Sequence, residues 1–407
     1  MFSRCSCCCD CGNSLLSPQC STAETVDMNE KTQHGLRNYL QKFKEIDFEE
    51  VKSIELIVGN ESADLDSIVC PLVLAYYRSC KINIQIDESN SICLPVVWCH
   101  KDDVELTTEA VALFKDTCLP IKDLLFQNDW EALKEKFSHK DLKVTLVDHN
   151  HAREHPDLNE FVVEIIDHRI DTNDFTNISK KIQLLGSCSS IIAQWLHQTD
   201  SEFLVNSPDV CKMLLATILV DTYNLDLHSG RTTEQDIFIA ELLSSYIEDV
   251  DTDELFTKLQ KAKMDISSMS TYNILRKDYK CVQKKDEKAP NVGISSAVIE
   301  GSIFISRKDF LENVLKHMNL LKLDVLMIMF LHFNKGSTEP IRQILLVSES
   351  NNLRLKIEEF MLQEQDLNLM KNDFILSEEL RKIAILYGHN PKWSRKKVMP
   401  VMSGFTL

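Results

Sequence analysis

The sequence contains few of the residues that interrupt regular secondary structure. Only 10 glycines and 10 prolines occur among 407 residues. This scarcity argues against long disordered linkers, a collagen-like chain or an all-β repeat protein. Hydrophobic residues make up 44% of the chain, which is enough to form the cores of two domains of ordinary size.

Long apolar segments are also missing. The sequence has no run of about 18 apolar residues, so we predict no transmembrane helix. Its N-terminal region has no apolar stretch of the kind found in signal peptides. We therefore expect a soluble protein of the cytoplasm.

Basic residues do not outnumber acidic ones. The chain has 45 Lys and Arg against 62 Asp and Glu, which gives a formal net charge of −17. Proteins that bind nucleic acids usually carry a basic excess, so we expect no nucleic-acid partner. An anionic substrate is still compatible with this charge, provided that basic residues and metal ions gather locally to hold it.

Six of the 14 cysteines lie within the first 20 residues. Residues 1–33 show no periodic hydrophobicity, so we predict a disordered, Cys-rich tail. The cysteines between Cys5 and Cys11 are too crowded for the paired hooks of a zinc site. Acylation of these cysteines at a membrane is the alternative interpretation.

From residue 34 onwards, strand-like apolar segments alternate with helix-like segments. This alternation predicts an α/β protein with a doubly wound, mainly parallel sheet, whose ligand side is formed by the loops after the strands. The acidic segment 248–254 marks a boundary. We therefore predict a first domain at 34–247 and a smaller α/β domain at 248–407.

Four strand-like segments each run into aspartate. They are 54–58 before Asp64 and Asp66, 146–147 before Asp148, 165–166 before Asp167, and 219–220 before Asp221. Strand ends of a parallel sheet meet at one edge, and carboxylates gathered there suit Mg²⁺ or Mn²⁺ better than zinc. Two such ions, roughly 3.5–4 Å apart, can activate a water molecule for attack on a phosphoryl group.

Neutral and basic side chains accompany these carboxylates. Asn60 precedes Asp64 by four residues, and it could supply a neutral ligand or orient the attacking water. His149 and His168 follow Asp148 and Asp167, and either could be a metal ligand, a hydrogen-bond donor to phosphate, a general acid or a structural residue. The sequence leaves these alternatives open.

Two further segments are candidates for phosphate binding. Gly186–Ser190 lies between a strand and a helix, and because a helix start favours anions, we consider Ser187 and Ser189 as substrate contacts. The last 27 residues contain no acid at all. Within them, Arg395 and Lys396 are suited to phosphate oxygens, and a solvated basic surface is the alternative.

The order of these motifs resembles that of the DHH phosphoesterase superfamily, and more closely its exopolyphosphatase and prune branch. The motifs are Asn-x-x-x-Asp-x-Asp at 60–66, Asp-His-Asn at 148–150, Asp-His-Arg at 167–169, a strand-like segment before Asp221, and Ser-Arg-Lys-Lys at 394–397. The resemblance covers about residues 36–402. It implies a catalytic domain with two Mn²⁺ or Mg²⁺ ions, a C-terminal domain that caps the phosphate chain, and an active site in the cleft between them.

The resemblance also implies roles for individual residues. By motif position, the metal ligands are Asp64, Asp66, Asp148, His168 and Asp221. Lys280 and Arg395 fall among the phosphate-binding residues of the capping domain, with Lys396 adjacent. Asn60 falls where the pyrophosphatases of the superfamily use histidine. With the candidates above, the predicted catalytic residues are Asn60, Asp148, His149, His168 and Arg169.

One position departs from the motif that names the superfamily. Its second histidine is replaced by Arg169. Arginine cannot bind a metal ion or exchange a proton near neutral pH, but it can bind phosphate. We therefore expect hydrolysis of short inorganic polyphosphates by a water molecule that two metal ions activate. Two alternatives are a cyclic-nucleotide phosphodiesterase and a regulatory protein that binds protein partners and has weak catalytic activity.

Overall fold

We describe a computed structural model of the chain. It describes residues 35–43, 45–84, 90–137, 142–152, 155–284, 286–334, 336–337 and 339–406. The predicted Cys-rich tail, residues 1–33, lies outside the described residues. Within the described ranges, no helix has both the length and the apolar character that crossing a membrane requires.

The first half of the chain forms a six-stranded sheet in which every strand pair is parallel. Its strands are β1 (Ser53–Val58), β2 (Ser91–Val97), β3 (Leu125–Phe126), β4 (Leu142–Val147), β5 (Val162–Asp167) and β6 (Ser179–Ile182). The strand order is β3-β2-β1-β4-β5-β6, so the direction of winding reverses between β1 and β4. The predicted doubly wound, parallel sheet is therefore confirmed.

Among the described residues, eight α-helices accompany this sheet. They are α1 (Gly35–Phe43), α2 (Leu65–Ile84), α3 (Thr108–Asp116), α4 (Gln127–Leu133), α5 (Cys188–Val205), α6 (Pro208–Asp221), α7 (Glu234–Ser244) and α8 (Thr252–Met264). Side chains on β1 alternate between two cores, because successive residues of a strand point to opposite faces. Ile57 packs in the core that contains α2, α5 and α6, whereas Leu56 packs in the core on the other face of the sheet.

A network of charged side chains fastens α2 to the sheet. Arg78 on α2 forms ion pairs with Glu55 on β1 and with Glu164 on β5. The Nη1 of Arg78 also donates to the hydroxyl of Thr145 on β4 at 3.0 Å. Both carboxylates are largely shielded from water, with side-chain exposures of 22% and 12%. Arg78 supplies a compensating charge to both, and Glu164 has a second cation in Lys181 on β6.

The fourth aspartate does not follow a strand. The segment that ends at Asp221 was predicted as a strand, but it is helix α6. Every residue from Met213 to Val220 is buried, so the helix is apolar on all sides and lacks an amphipathic period. A short continuous apolar run cannot be distinguished from a buried strand by periodicity alone. Pro208 at the first turn of the helix was the local signal that favours the helix.

The second half of the chain forms a mixed six-stranded sheet. Its strands are β7 (Tyr279–Cys281), β8 (Val292–Ala297), β9 (Val325–Phe333), β10 (Pro340–Val347), β11 (Met370–Lys371) and β12 (Ala384–His389), in the order β11-β12-β10-β9-β8-β7. Of the strand pairs in the described part of this sheet, only β8 and β9 are parallel. The helices are α9 (Thr271–Lys277), α10 (Gly301–Ile305), α11 (Phe310–Leu320), α12 (Asn351–Leu362), α13 (Glu378–Ile383) and α14 (Arg395–Ser403). This layer has its own cores, as expected for a second α/β unit.

Helix α8 lies after the predicted boundary at residue 248 but packs on the first layer, where Leu255 and Leu259 join the core of α2, α5 and α6. The second layer then contacts the first turn of α3. The Nζ of Lys277 on α9 donates to the carbonyl of Leu106 at 2.6 Å and to the hydroxyl of Thr108 at 2.8 Å. The two layers therefore meet at the start of α3.

Replacing Arg78 tests the charged network under α2. Arg78→Ala should lower the free energy of unfolding by about 3 kcal/mol, because Glu55 and Glu164 lose their shared cation while remaining shielded from water. Chemical denaturation measures this change. Lys81→Ala is the control, because Lys81 lies on the same helix and pairs with Asp200 at a more exposed position. It should cost less than about 1 kcal/mol. Equal losses for the two variants would contradict the assigned role of Arg78.

Candidate active site

The loops after β1, β4 and β5 meet at the carboxyl edge of the first sheet, where its winding reverses. In α/β sheets this is the usual position of a ligand site. Asp66, Asp148 and His168 each offer one ligand atom there, and the three atoms lie within 4.8 Å of one another. We call these three residues the cation cluster.

Asp148 is the fully buried member of the cluster, and its backbone adopts the left-handed conformation (φ 64°). Its Oδ2 accepts hydrogen bonds from Nδ2 of Asn60 at 2.8 Å and from the hydroxyl of Ser67 at 2.7 Å. The Oδ1 of Asn60 accepts from the backbone N–H of Ser62 at 2.9 Å. Both ends of the Asn60 amide are therefore used within the protein, and its contact with the cluster is the hydrogen bond to Asp148.

His168 is oriented by its own second nitrogen. The Nδ1 of its ring lies 3.0 Å from the carbonyl oxygen of Leu185. A carbonyl can only accept, so Nδ1 must carry the hydrogen. The other nitrogen, Nε2, is buried, makes no hydrogen bond within the described residues, and lies 3.3 Å from Oδ1 of Asp148. This orientation is the one that metal-binding histidines adopt.

Asp66 lies in the first turn of α2 and faces the N-terminus of α5. The backbone N–H of Cys188 donates to its Oδ2 at 2.9 Å, and the hydroxyls of Ser187 and Ser189 donate to its Oδ1 at 2.9 and 3.1 Å. The anion held at this helix start is therefore the Asp66 carboxylate. The assignment of Ser187 and Ser189 to substrate binding stays a prediction.

Asp64 and Asp221 border the cluster without belonging to the group of three. Asp64 precedes α2 and interacts electrostatically with Asp148, whereas Asp221 ends α6 next to Asp66. The Oδ2 of Asp221 is buried and has no hydrogen-bond partner among the described residues. Burial and the negative charge of Asp66 raise the pKa of Asp221 well above its ordinary value. Burial opposes the ionisation of Asp66, but the positive charge of His168 holds the pKa of Asp66 below its usual value.

Protons and a metal ion compete for the cluster. Burial and then the charge of Asp64 raise the pKa of Asp148 to about 7. Burial lowers the pKa of His168, but its contact with Asp148 and the charge of Asp66 outweigh that effect and raise the pKa to about 9. The site thus attracts positive charge. Three or four carboxylates with one imidazole are a donor set that fits Mg²⁺ or Mn²⁺, and the unpartnered Asp221 oxygen fits the same role.

Arg169 is joined to the cluster by direct contacts. Its Nη1 donates to Oδ1 of Asp148 at 2.6 Å and also contacts the carbonyl of the same residue. A weaker contact of 3.3 Å reaches Asp167. The carboxylate of Asp167 is fully buried and accepts from the backbone N–H of His168 at 2.7 Å, so this strand-end acid shapes its own loop. The side chain of Arg169 is 45% exposed, which leaves guanidinium N–H groups accessible to a ligand.

His149 lies behind the cluster. Its Nδ1 donates to the carbonyl of Val147 at 3.0 Å, and its ring packs edge-on against His155 with centroids 4.7 Å apart. Burial and the charge of His155 lower the pKa of His149 to about 3, so the ring is neutral near pH 7. Its predicted catalytic role stays a prediction.

The predicted phosphate-binding residues of the second layer lie together. Arg395 at the start of α14 donates to the carbonyl and the carboxylate of Asp278, both at 2.6 Å. Lys280 on β7 follows Asp278 by two residues, and Lys280 and Lys396 are exposed. Within the described ranges, none of these three basic residues makes a hydrogen bond or ion pair with the cation cluster. Their role in substrate binding stays a prediction.

The structure brings further residues to the site that the sequence did not reveal. Ser67 holds Asp148, as described above. Lys263 on α8 lies 3.3 Å from the buried carboxylate of Glu109 and interacts electrostatically with Asp221 and Asp64. No local pattern marks Lys263, because a lysine near the end of an amphipathic helix normally indicates a solvated surface.

Known proteins resemble this chain over most of its length. The DHHA2 domain model matches residues 257–405. The bovine (Bos taurus) protein exopolyphosphatase PRUNE1 is 30% identical over 373 residues, which cover 90% of this chain and 78% of the bovine protein. The human (Homo sapiens) exopolyphosphatase PRUNE1 is 28% identical over 370 residues, with the same coverage of 90% and 78%.

Among solved structures, a Methanococcus jannaschii protein assigned to the family II inorganic pyrophosphatases shares the fold. Its TM-score is 0.51 at 20% identity, and the match covers 86% of this chain and 98% of that protein. This similarity supports the two-layer fold, and the bovine relative supports the family. The resemblance seen in the motifs is confirmed, and the chain belongs to the prune branch of the DHH phosphoesterase superfamily.

Proposed function

We propose that this protein is a metal-dependent phosphoanhydride hydrolase that acts on short-chain inorganic polyphosphate. The observation that carries the proposal is the cation cluster, in which Asp66, Asp148 and His168 present ligand atoms within 4.8 Å of one another. Two buried carboxylates held this close together are costly unless cations compensate their charge, and a bound metal ion would do so. The relatives named exopolyphosphatase support the same reaction class.

The ligands would hold two ions of Mn²⁺ or Mg²⁺. Asp66, Asp148 and His168 form the centre of the site, and Asp64 and Asp221 lie next to it. Such ions neutralise phosphate oxygens and activate a water molecule. Asn60 and Ser67 donate to Asp148, and they therefore orient a ligand rather than contact the metal.

Basic residues around the site would neutralise the substrate. Arg169 is fixed by Asp148 but still exposes part of its guanidinium group. Lys263 contributes charge beside Asp64 and Asp221. From the second layer, Lys280 and Arg395 would bind the phosphates farther along the chain, with Lys396 adjacent. This basic group is small and local, so we assign short chains as the preferred substrate.

Arg169 limits which proton transfers the site can perform. An arginine side chain does not release a proton near neutral pH, so it cannot act as a general acid. It can hold negative charge that develops on a phosphate leaving group, and a phosphate leaves readily without receiving a proton in the same step. This chemistry suits phosphoanhydrides, whose leaving groups are already stable anions.

Phosphate release tests the proposed reaction. With Mn²⁺ or Mg²⁺, purified protein should release phosphate faster from tripolyphosphate and tetrapolyphosphate than from long polyphosphate, and it should leave cAMP intact. Asp148→Ala should reduce the rate by about 100-fold or more, because it removes a central ligand. The matched control is Asp157→Ala, which removes an exposed acid. No phosphate release from any polyphosphate, or full activity in Asp148→Ala, would overturn the proposal.

Metal affinity should depend on pH. Below pH 7 both Asp148 and His168 hold protons, between pH 7 and 9 His168 alone does, and above pH 9 neither does, as the pKa values of about 7 and about 9 require. A metal ion must displace these protons, so Mn²⁺ affinity should rise with pH between pH 7 and 9. The His168 proton alone accounts for up to about tenfold per unit, and a proton displaced from Asp221 makes the rise steeper. Calorimetry in buffers with different ionisation enthalpies counts the released protons. A dissociation constant that is constant from pH 6 to 9 would contradict this assignment.

A further inference from the structure

The carboxylate of Asp236 is fully buried on α7 and satisfied entirely by hydrogen bonds from the protein. It accepts from the backbone N–H of Gly186 at 2.8 Å and from the hydroxyl of Ser190 at 2.6 Å. The backbone N–H and the hydroxyl of Thr233 donate to it at 2.9 and 2.7 Å. Within the described residues it has no ion pair. A buried carboxylate needs donors of this kind to remain charged, and here two of them belong to the segment Gly186–Ser190, which begins α5.

The same segment donates the hydrogen bonds that orient Asp66. Gly186 and Ser190 stand on either side of the three residues that donate to the Asp66 carboxylate, which are Ser187, Cys188 and Ser189. Asp236 therefore fixes both ends of the short segment whose donors orient Asp66. A displacement of either end would misdirect all three hydrogen bonds.

The residues just before α7 also contact the end of α6. The hydroxyl of Thr232 donates to the carbonyl of Thr222 at 2.8 Å, and Thr222 directly follows Asp221. Beyond it, Tyr223, Asn224 and Leu225 all adopt left-handed conformations, with φ of 51°, 58° and 62°. Such conformations are unfavourable for residues other than glycine, so this end of the helix needs contacts that hold it in place.

Gly186 shows how closely these segments approach one another. A Cβ atom at this position would lie 2.5 Å from the carbonyl oxygen of Arg231, 2.7 Å from Cγ2 of Thr222 and 2.9 Å from Oδ2 of Asp236. Arg231 lies just before α7 and Asp236 lies in its first turn, whereas Thr222 directly follows Asp221. The segment that orients Asp66, the end of α6 and the start of α7 are thus packed so closely that one additional carbon atom would not fit.

We propose that Thr232 and Asp236 are positioning residues that fix the spacing between two metal ligands, Asp66 and Asp221. We call these two residues the α7 brace. The proposal rests on the proposed function, because it assumes that these carboxylates bind the metal ions. Asp66 and Asp221 repel each other when both are charged. The brace opposes that repulsion, because it connects both the segment that orients Asp66 and the end of α6 to the start of α7. Residues that orient metal ligands in this way typically contribute 10- to 100-fold in affinity, by order of magnitude.

Mn²⁺ binding to the full chain, measured by calorimetry without substrate, tests the brace. Ser190→Ala and Asp236→Ala should each weaken Mn²⁺ binding by about tenfold or more. Asp236→Asn should recover most of the affinity, because its amide oxygen still accepts from Gly186 and Thr233 while the Ser190 hydroxyl can rotate to accept from the amide nitrogen. Adding Ser190→Ala to Asp236→Ala should cause little further loss, since both remove the same link.

The contact between Thr232 and Thr222 is tested separately, with a matched control in the other layer. Thr232→Val removes the hydroxyl that holds Thr222 and should weaken Mn²⁺ binding severalfold. Ser350→Ala removes a capping hydroxyl from α12 in the other layer. It should lower the melting temperature while keeping Mn²⁺ affinity within about twofold, because it is remote from the ligands.

The outcomes separate the two proposals. If the wild-type protein binds Mn²⁺ and releases phosphate, but the folded Ser190→Ala and Thr232→Val variants keep its affinity, the brace is wrong and the proposed function stands. If Asp236→Asn binds Mn²⁺ no better than Asp236→Ala, the hydrogen-bonding role of Asp236 is wrong. If the wild-type protein binds neither Mn²⁺ nor Mg²⁺, both proposals are overturned.

Discussion

Repulsion among buried carboxylates is the constraint on which this site depends. Asp66 and Asp148 are shielded from water, Asp64 and Asp221 lie beside them, and like charges in such surroundings repel strongly. The protein counters this repulsion with directed donors. The N-terminus of α5 points at Asp66, and the guanidinium group of Arg169 meets the carboxylate of Asp148. Without these donors, the carboxylates would take up protons or move apart.

The donors come from distant parts of the chain, so the site exists only when the first layer is fully assembled. Ser187 lies 121 residues after the aspartate that it contacts, and Asn60 lies 88 residues before Asp148. The parallel sheet brings these segments to one edge. Helix α2 carries Asp66 in its first turn, and Arg78 fastens the same helix to three strands. Stability of the sheet and geometry of the site are therefore linked through one helix.

The sequence predicted those parts of the fold and site that have a local signal. Strands β1, β4 and β5 are apolar runs bounded by polar loops, and the acids that follow them indicated the edge where Asp66, Asp148 and His168 meet. Helix α6 was mistaken for a strand, because a helix buried on all sides has no amphipathic period. The site roles of Asp236 and Lys263 could not be predicted. The contacts of Asp236 with Gly186 and Ser190, and that of Lys263 with Glu109, join residues that are remote in the chain.

Arg169, in the Asp-His-Arg motif, changes how many protons the site can bind and release. A histidine at position 169 could enter or leave its charged state between pH 5 and 8, whereas Arg169 keeps its charge throughout that range. Its contact with Asp148 makes that charge a permanent part of the cluster. One of the cations that the carboxylates require is thus supplied by the polypeptide itself. The site consequently exchanges fewer protons with water when a metal ion arrives, and its buffering capacity rests on Asp148, His168 and Asp221.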